Sequence, residues 1–266
     1  MTAVASRRRA ALGGVAGMAR QYIDRVLPFL AQARSRWLPR LPSLCAVCHG
    51  WGIERVCATC VARFAPALPR CGRCALRVPA GVNTCGACLT DPPPFERAVA
   101  AVEYAHPWDG LITRFKFHAA LDMAPALAQR LADAARASAA PPPTWMLPVP
   151  LSAERLRERG CNQAWELVKH LGRQFGCRTD ACLLLRVRDT PHQLARPLDE
   201  RAANVRSAFA VEPRRAAELR GQTVTLVDDV MTTGATVAEI TRVLLHAGAA
   251  QVHVWVVART PKPGDA

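Results

Sequence analysis

The sequence predicts an α/β domain with a mostly parallel sheet, preceded by a small cysteine-rich module, on three observations. Eight cysteines form four C-x-x-C pairs between positions 45 and 88. After residue 91, short apolar runs typical of buried strands alternate with amphipathic stretches of helical spacing. Such alternation implies a parallel sheet with helices on both faces. Half of the 266 residues are apolar, which suffices for a core of this kind.

The chain is strongly basic, and the excess charge is uneven. Lys and Arg outnumber Asp and Glu by 35 to 21, and residues 1–44 carry eight arginines against the single acid Asp24. This surplus favours polyanionic partners, either nucleic acid or phosphorylated small molecules, and does not choose between them. We expect residues 1–44 to be a basic arm, either disordered or helical around Gln21–Arg34.

Membrane insertion and export are both disfavoured by the sequence. No apolar run approaches the roughly 18 residues that a membrane-spanning helix needs. Residues 7–19 weakly resemble an export signal, but glycines interrupt the apolar part and Arg20 ends it. We therefore expect a cytoplasmic location.

The cysteine pairs predict a double zinc ribbon over residues 45–90. Two thiolates separated by two residues can face one ion, and two such pairs complete a tetrahedral site that has no position left for water. A disulfide framework is the alternative, and it requires an oxidising compartment. Spacing leaves sequential and crosswise pairing open, although sequential pairing closes shorter loops. The predicted ligands of two Zn²⁺ ions are Cys45, Cys48, Cys57, Cys60, Cys71, Cys74, Cys85 and Cys88.

The predicted α/β domain covers residues 91–266. Its expected elements are a strand at Ala98–Tyr104, a helix at Leu121–Ala137, a strand at Trp145–Leu151, a helix at Asn162–Phe175, a strand at Val224–Val227 and a helix at Ala235–Ala247.

The connection between the last two elements carries the strongest functional signal. It begins with Asp228 and Asp229 at the carboxyl end of a predicted strand, where open α/β sheets bind ligands. Vicinal ribose hydroxyls suit two adjacent carboxylates, and the amides of a tight turn before a helix suit a phosphate. A Walker lysine is missing, which disfavours a nucleotide P-loop. The predicted ribose-phosphate residues are Val230, Met231, Thr232, Thr233, Gly234, Ala235 and Thr236.

This string closely resembles the phosphoribosyl-pyrophosphate signature of type I phosphoribosyltransferases. The order of further segments over about residues 45–261 looks like the ComF/GntX family: the zinc pairs, Leu111–Phe117, Pro148–Leu151, Arg155–Gln163, Arg186–Phe209, the signature and Ala258–Thr260. The chain departs from the family at Cys161, where an aromatic residue is usual. The resemblance implies the type I phosphoribosyltransferase fold, and a ligand, 5-phosphoribosyl-1-pyrophosphate, that binds with Mg²⁺.

By the same resemblance, the loop at Pro148–Arg155 would hold pyrophosphate and Arg186–Arg206 would cover the site. Alternating arginines are also typical of a solvated helix face, and Lys116 either contacts a phosphate or extends to solvent. The candidates for these two loops are Lys116, Arg155, Arg157, Arg159, Asn162, Gln163, Arg186, Arg201 and Asn204.

The resemblance leaves two function classes open. The first is a phosphoribosyltransferase with an unknown acceptor, in which Asp228 and Asp229 hold the ribose while pyrophosphate leaves. The second is a non-catalytic protein that keeps the phosphoribosyl pocket and binds single-stranded DNA, because ComF-type proteins are associated with natural competence and with the use of DNA as a nutrient. A purely structural zinc-ribbon adaptor would leave the signature unexplained. The sequence indicates no oligomeric state.

Overall fold

Strands and helices alternate along most of the computed structural model, which describes residues 42–118, 120–138, 140–187 and 208–261. The strands are β1 (Ser43–Leu44), β2 (Trp51–Gly52), β3 (Arg97–Glu103), β4 (Trp145–Pro148), β5 (Arg178–Thr179), β6 (Leu184–Arg186), β7 (Phe209–Val211), β8 (Thr223–Met231) and β9 (Gln251–Arg259). The helices are α1 (Ala58–Phe64), α2 (Gly86–Thr90), α3 (Trp108–Phe117), α4 (Ala124–Ala137), α5 (Ala153–Arg159), α6 (Gln163–Phe175) and α7 (Ala235–His246). Within these ranges, no helix combines the length and apolarity needed to cross a membrane.

A five-stranded parallel sheet forms the centre of the fold. Its strand order is β3-β9-β8-β4-β5, so β8 lies in the middle with β9 on one side and β4 on the other. The long strands β8 and β9 are buried along most of their length, as expected for parallel strands covered on both faces. The predicted parallel sheet is confirmed.

Apolar side chains of the sheet pack into two separate cores. On one face, Trp255 and Val257 of β9 contact the helical layer formed by α3, α4 and α6. On the other face, Val254 and Val256 contact α7 and the antiparallel pair β6–β7. Neighbouring residues of one strand therefore point to opposite faces, and both faces are covered, as the sequence predicts.

The cysteine-rich segment packs directly against the sheet and its helices, and the chain from Ser43 onward forms one compact unit. The indole Nε1 of Trp108, at the start of α3, donates to the carbonyl of Phe64 at 2.6 Å. The amide of Ala98 in β3 donates to the carbonyl of Gly72 at 3.2 Å. The segment is thereby connected both to the helical layer and to the edge strand. Residues 1–41 of the predicted basic arm lie outside the described residues.

Several predicted boundaries are wrong, and the most important is the end of β8. The apolar run predicts a strand over Val224–Val227, yet the strand continues to Met231, although aspartate is unfavourable in strands. Pairing with β9 carries it past the aspartates, since Val230 is still in register with Ala258. The helix α3 is not evident from helical spacing. The helix predicted from Leu121 begins with a 3₁₀ turn over Leu121–Met123.

Close packing of α6 on β5 depends on Gly172. A Cβ atom at this position would lie 2.3 Å from Cγ2 of Thr179. We expect Gly172→Ala to lower the free energy of unfolding by about 1–3 kcal/mol because of this overlap. Adding Thr179→Ser removes the Cγ2 atom and should recover most of the loss, as measured by chemical denaturation of both variants.

The matched control is Gly110→Ala in α3, where the added Cβ atom meets no atom within 4 Å. This variant should be stabilised by up to about 1 kcal/mol through helix propensity alone. Equal effects of the two glycine substitutions, or no recovery by Thr179→Ser, would contradict the proposed packing.

Candidate functional site

The eight paired cysteines form two separate clusters. Within each cluster all four Sγ atoms lie within 4.8 Å of one another. The pairing is sequential, which settles the alternative that spacing left open: Cys45, Cys48, Cys57 and Cys60 form the first cluster, and Cys71, Cys74, Cys85 and Cys88 form the second. All eleven cysteines of the chain lack a disulfide bond. Each cluster can hold one metal ion.

The sulfur separations fit a tetrahedral zinc ion. Zn–S bonds of about 2.3 Å imply an S···S edge of about 3.8 Å. The observed separations are 3.9 Å for Cys45–Cys60, 3.7 Å for Cys48–Cys57 and 3.6 Å for Cys74–Cys85. Disulfide sulfurs, by contrast, would be about 2 Å apart.

The thiols of each cluster differ in acidity. Burial opposes ionisation of Cys45, but hydrogen bonds from the amides of Cys57, Cys48 and Val47 outweigh it and lower its pKa to about 6. In the second cluster, the amides of Cys85 and Cys74 likewise lower the pKa of Cys71 to about 7, against the effect of burial. Burial raises the pKa of Cys60 to about 12. A bound cation is therefore needed to ionise all four thiols.

The predicted phosphate turn joins β8 to α7 at the carboxyl end of the sheet. Gly234 precedes the helix with φ 83°, a conformation that strongly favours glycine. Thr232 and Thr233 are exposed, and Thr233 Oγ1 accepts a hydrogen bond from the amide of Ala235 at 3.3 Å. Within the described part of the chain, the amides of Thr232, Thr233 and Gly234 make no backbone hydrogen bond. These three amides can therefore donate to an anion.

Asp228 and Asp229 lie on β8 rather than in the turn, where the sequence had suggested them. The alternation of side chains is broken there, because Val227 and Val230 pack in the same core although they are three residues apart. Asp229 also has no pairing partner on β9, although its neighbours Asp228 and Val230 pair in the same register. Asp228 Oδ1 accepts the amide hydrogen of Asp229 at 2.8 Å. The two carboxylates thus occupy an irregular strand end beside the turn.

Lys116 contacts Asp229 directly, and two further predicted residues, Gln163 and Arg159, are linked to Lys116 by hydrogen bonds. Lys116, near the end of α3, forms an ion pair with Asp229 in which Nζ lies 2.9 Å from Oδ1. Gln163 donates from Nε2 to the carbonyl of Lys116 at 3.4 Å, and its Oε1 accepts a hydrogen bond from Arg159 Nη1, also at 3.4 Å. The guanidinium of Arg159 lies 4.9 Å from the centroid of the Phe117 ring. Lys116 therefore faces the site instead of extending to solvent.

The predicted pyrophosphate loop is shorter than expected, because Ala153–Arg159 is the helix α5. Arg155 and Arg159, four residues apart, share a face of this helix. Arg157 lies on the opposite face, where it is exposed and donates to the carbonyl of Ala153, so the structure does not bring it to the site. Asn162 is a positioning residue, because Nδ2 donates to the carbonyl of Val149 at 3.0 Å while Oδ1 caps α6 through the amide of Ala164.

Only the start of the predicted covering loop lies among the described residues. Arg186 ends β6, with its guanidinium 5.5 Å from the centroid of the Phe209 ring on β7. Arg201 and Asn204 lie outside the described residues, and so does most of Arg186–Arg206.

Arg259 is a site residue that our reading of the sequence did not single out. It ends β9 and is buried. Its Nη1 donates to the carbonyls of Met231, at 3.1 Å, and of Thr232, and its Nε donates to the carbonyl of Cys74 at 3.0 Å. A charged residue at the end of an otherwise apolar strand is the signal that could have identified it.

Comparison with known proteins identifies the family. A family model of the phosphoribosyl transferase domain matches residues 164–265. The chain is 39% identical over 232 residues to the DNA utilization protein YhgH of Salmonella typhi, covering 84% of this chain and 96% of that protein. It is 32% identical over 208 residues to competence protein F of Haemophilus influenzae, covering 77% of this chain and 90% of that one. The chain belongs to the ComF/GntX family.

The ComF-family chain also resembles solved structures, at low identity. Hypoxanthine phosphoribosyl transferase of Trypanosoma cruzi is 14% identical, with 53% of this chain and 74% of that chain covered and a TM-score of 0.32. The matching domain model and the observed parallel sheet confirm the type I phosphoribosyltransferase fold that the sequence resemblance implied.

The two carboxylates of the ComF-family site repel each other at a largely buried position. Burial raises the pKa of Asp228 to about 7, the charge of Asp229 adds to the rise, and Lys116 opposes it. The ordinary value is 3.8. The folded state therefore binds this proton more tightly than the unfolded state, so the carboxylate costs stability increasingly as pH rises from about 4 to about 7.

Asp228→Asn should raise the free energy of unfolding at about pH 8.5 by on the order of 1–3 kcal/mol, and by much less near pH 4.5. The amide keeps an oxygen for the Asp229 N–H and removes the charge. Chemical denaturation at both pH values measures the difference, and Asp91→Asn, at an exposed position, serves as control. A gain that is the same at both pH values would contradict the raised pKa.

Metal content provides a separate test of the clusters. We expect two zinc ions per chain in native mass spectrometry, one for each cluster. Cys57→Ser and Cys85→Ser, equivalent third ligands of the two clusters, should each reduce the content by one ion. A metal-free wild-type chain with intact fold would contradict the proposed metal sites.

Proposed function

We propose that this ComF-family protein binds 5-phosphoribosyl-1-pyrophosphate with Mg²⁺ at the carboxyl end of β8. The observation that carries the proposal is the combination of two strand-end carboxylates with a turn of unpaired amides that leads directly into α7. Proteins use helix N-termini of this kind to hold phosphate groups.

In this proposal each part of the site contacts one part of the ligand. The amides from Thr232 to Thr236, together with the threonine hydroxyls, donate to the 5-phosphate. Asp228 and Asp229 accept hydrogen bonds from the ribose hydroxyls. The ammonium group of Lys116 neutralises part of the charge of Asp229 before the ligand binds.

The pyrophosphate would lie near Arg155 and Arg159, which share one face of α5 next to the Lys116–Asp229 pair. Mg²⁺ prefers oxygen ligands and keeps several waters, and it is usually held by one or two carboxylates together with substrate phosphates. Within the described ranges, groups of three or more metal-binding side chains occur only at the two cysteine clusters. The ion would accordingly be carried mainly by the ligand, where it supplies charge neutralisation on the departing pyrophosphate.

We also propose that the cysteine clusters hold structural zinc and that the protein works in the cytoplasm in DNA uptake or DNA utilisation. The zinc proposal rests on the sulfur geometry, and the cellular role rests on the names of the relatives. Either a transferase with an unknown acceptor or a non-catalytic protein that binds single-stranded DNA agrees with that role. The net charge of +14 favours a polyanionic partner in both cases.

Calorimetric titration with phosphoribosyl pyrophosphate and Mg²⁺ tests the pocket. Wild-type protein should bind, and the double variant Asp228→Ala/Asp229→Ala should lose at least about tenfold in affinity, because a hydrogen bond to a charged group contributes about 1.5–3 kcal/mol. The surface variant Asp133→Asn should bind like wild type. Unchanged affinity in the double variant would refute the assigned site.

Turnover then separates the two function classes. Release of pyrophosphate in the presence of one member of a panel of nucleobases and amines would identify a transferase. Binding without any release, together with salt-dependent binding of single-stranded DNA, would favour the non-catalytic class.

A further inference from the structure

One buried guanidinium connects the second cysteine cluster to the phosphate turn. Arg259 Nε donates to the carbonyl of Cys74, a cluster residue, at 3.0 Å. From the same guanidinium, Nη1 donates to the carbonyls of Met231 and Thr232, which lead into the turn, and to the carbonyl of Thr260 at 3.0 Å. A charge buried this deeply is tolerated only when hydrogen bonds satisfy it. Conformations in which the guanidinium loses these hydrogen bonds are therefore strongly disfavoured.

These bonds help to fix where the turn's amides point, together with the amide of Thr260, which donates to the carbonyl of Met231 at 3.1 Å. In a trans peptide unit, the C=O and the following N–H point in opposite directions. When Arg259 holds the carbonyls of Met231 and Thr232 on its own side, the amides of Thr232 and Thr233 face the other side. The guanidinium therefore turns two of the amides that we assign to the phosphate away from the protein interior.

The other end of the connection is fixed by the cluster. Cys74 closes a tight turn in which the amide of Ala75 donates to the carbonyl of Cys71 at 2.8 Å. Arg70 Nη1 in turn donates to the carbonyl of Ala75 at 3.1 Å. A metal ion bound to Cys71 and Cys74 would hold this turn in place, and with it the carbonyl that Arg259 contacts.

We propose that Arg259 is a positioning residue that couples metal binding at the second cysteine cluster to anion binding at the β8–α7 turn. The inference rests on the proposed function for the identity of the anion. Coupling of binding free energies is reciprocal, so the ligand should strengthen metal retention just as the metal strengthens ligand binding.

The first cluster provides a matched control inside the same chain. Cys57 and Cys85 each precede a short helix, and each donates its amide to the first cysteine of its own cluster, at 3.4 and 3.3 Å. Both are partly buried. The first cluster contacts the start of the helical layer through Phe64 and Trp108, whereas Arg259 contacts the second cluster.

The first experiment compares Cys57→Ser with Cys85→Ser in the full chain. By calorimetry with phosphoribosyl pyrophosphate and Mg²⁺, Cys85→Ser should bind at least about fivefold more weakly than Cys57→Ser, which disrupts the cluster that Arg259 does not contact. In wild type, the ligand should slow zinc release to a chromogenic chelator from one of the two sites. Equal affinity of the two variants, or no effect of ligand on release, would overturn the coupling.

The second experiment changes Arg259 itself. Arg259→Met removes every donor and should weaken ligand binding. Arg259→Lys retains one charged centre that can reach Met231 and Thr232 but cannot contact Cys74 at the same time, so it should recover part of the affinity. In Arg259→Lys, the additional substitution Cys85→Ser should no longer change affinity. Persistence of that effect would refute the role of the guanidinium as the connection.

Hydrogen–deuterium exchange tests the connection without any ligand. Cys85→Ser should speed exchange of the amides at residues 232–236, while Cys57→Ser should not. If wild type fails to bind the ligand but this difference is seen, the proposed function fails and the structural coupling stands. If wild type binds the ligand but exchange is the same in both variants, the coupling fails and the proposed function stands.

Discussion

The site depends on the central position of β8 in the sheet. β4 pairs with this strand as far as Val227, and β9 pairs with it as far as Met231, so its carboxyl end is held to the sheet through β9. The turn that follows is short, and Gly234 lets it enter α7 in a left-handed conformation that other residues rarely adopt. A rigid strand end followed by unpaired amides is a preorganised anion site, since little conformational entropy remains to be lost on binding.

The same geometry brings unfavourable electrostatics. Asp228 and Asp229 lie side by side at a largely buried position, and Lys116 is paired with only one of them. The two aspartates therefore repel each other when no ligand is bound. Ribose hydroxyls and a metal-bound pyrophosphate would relieve this repulsion, so part of the binding energy would come from removing an existing strain. The network of Arg159, Gln163 and Lys116 holds the positive charges at the required positions.

The sequence predicted the parts of this structure that depend on local pattern. The C-x-x-C spacing indicated both cysteine clusters, the alternation of apolar strand runs with helices indicated the parallel sheet, and the string from Asp228 to Thr236 indicated a turn leading from a strand into a helix. It failed where distant segments decide the outcome. Pairing with β9 extends β8 through two aspartates that are unfavourable in strands, and local propensity cannot reveal this. Likewise, Arg259 contacts a carbonyl 185 residues away in sequence, and no local pattern indicates such a contact.

A crystal structure of the protein with phosphoribosyl pyrophosphate and Mg²⁺ tests the central claim most directly. The account predicts density for the 5-phosphate within hydrogen-bonding distance of the amides of residues 232–236, with the ribose hydroxyls facing Asp228 and Asp229. A ligand bound elsewhere, with this turn empty under saturating conditions, would contradict it.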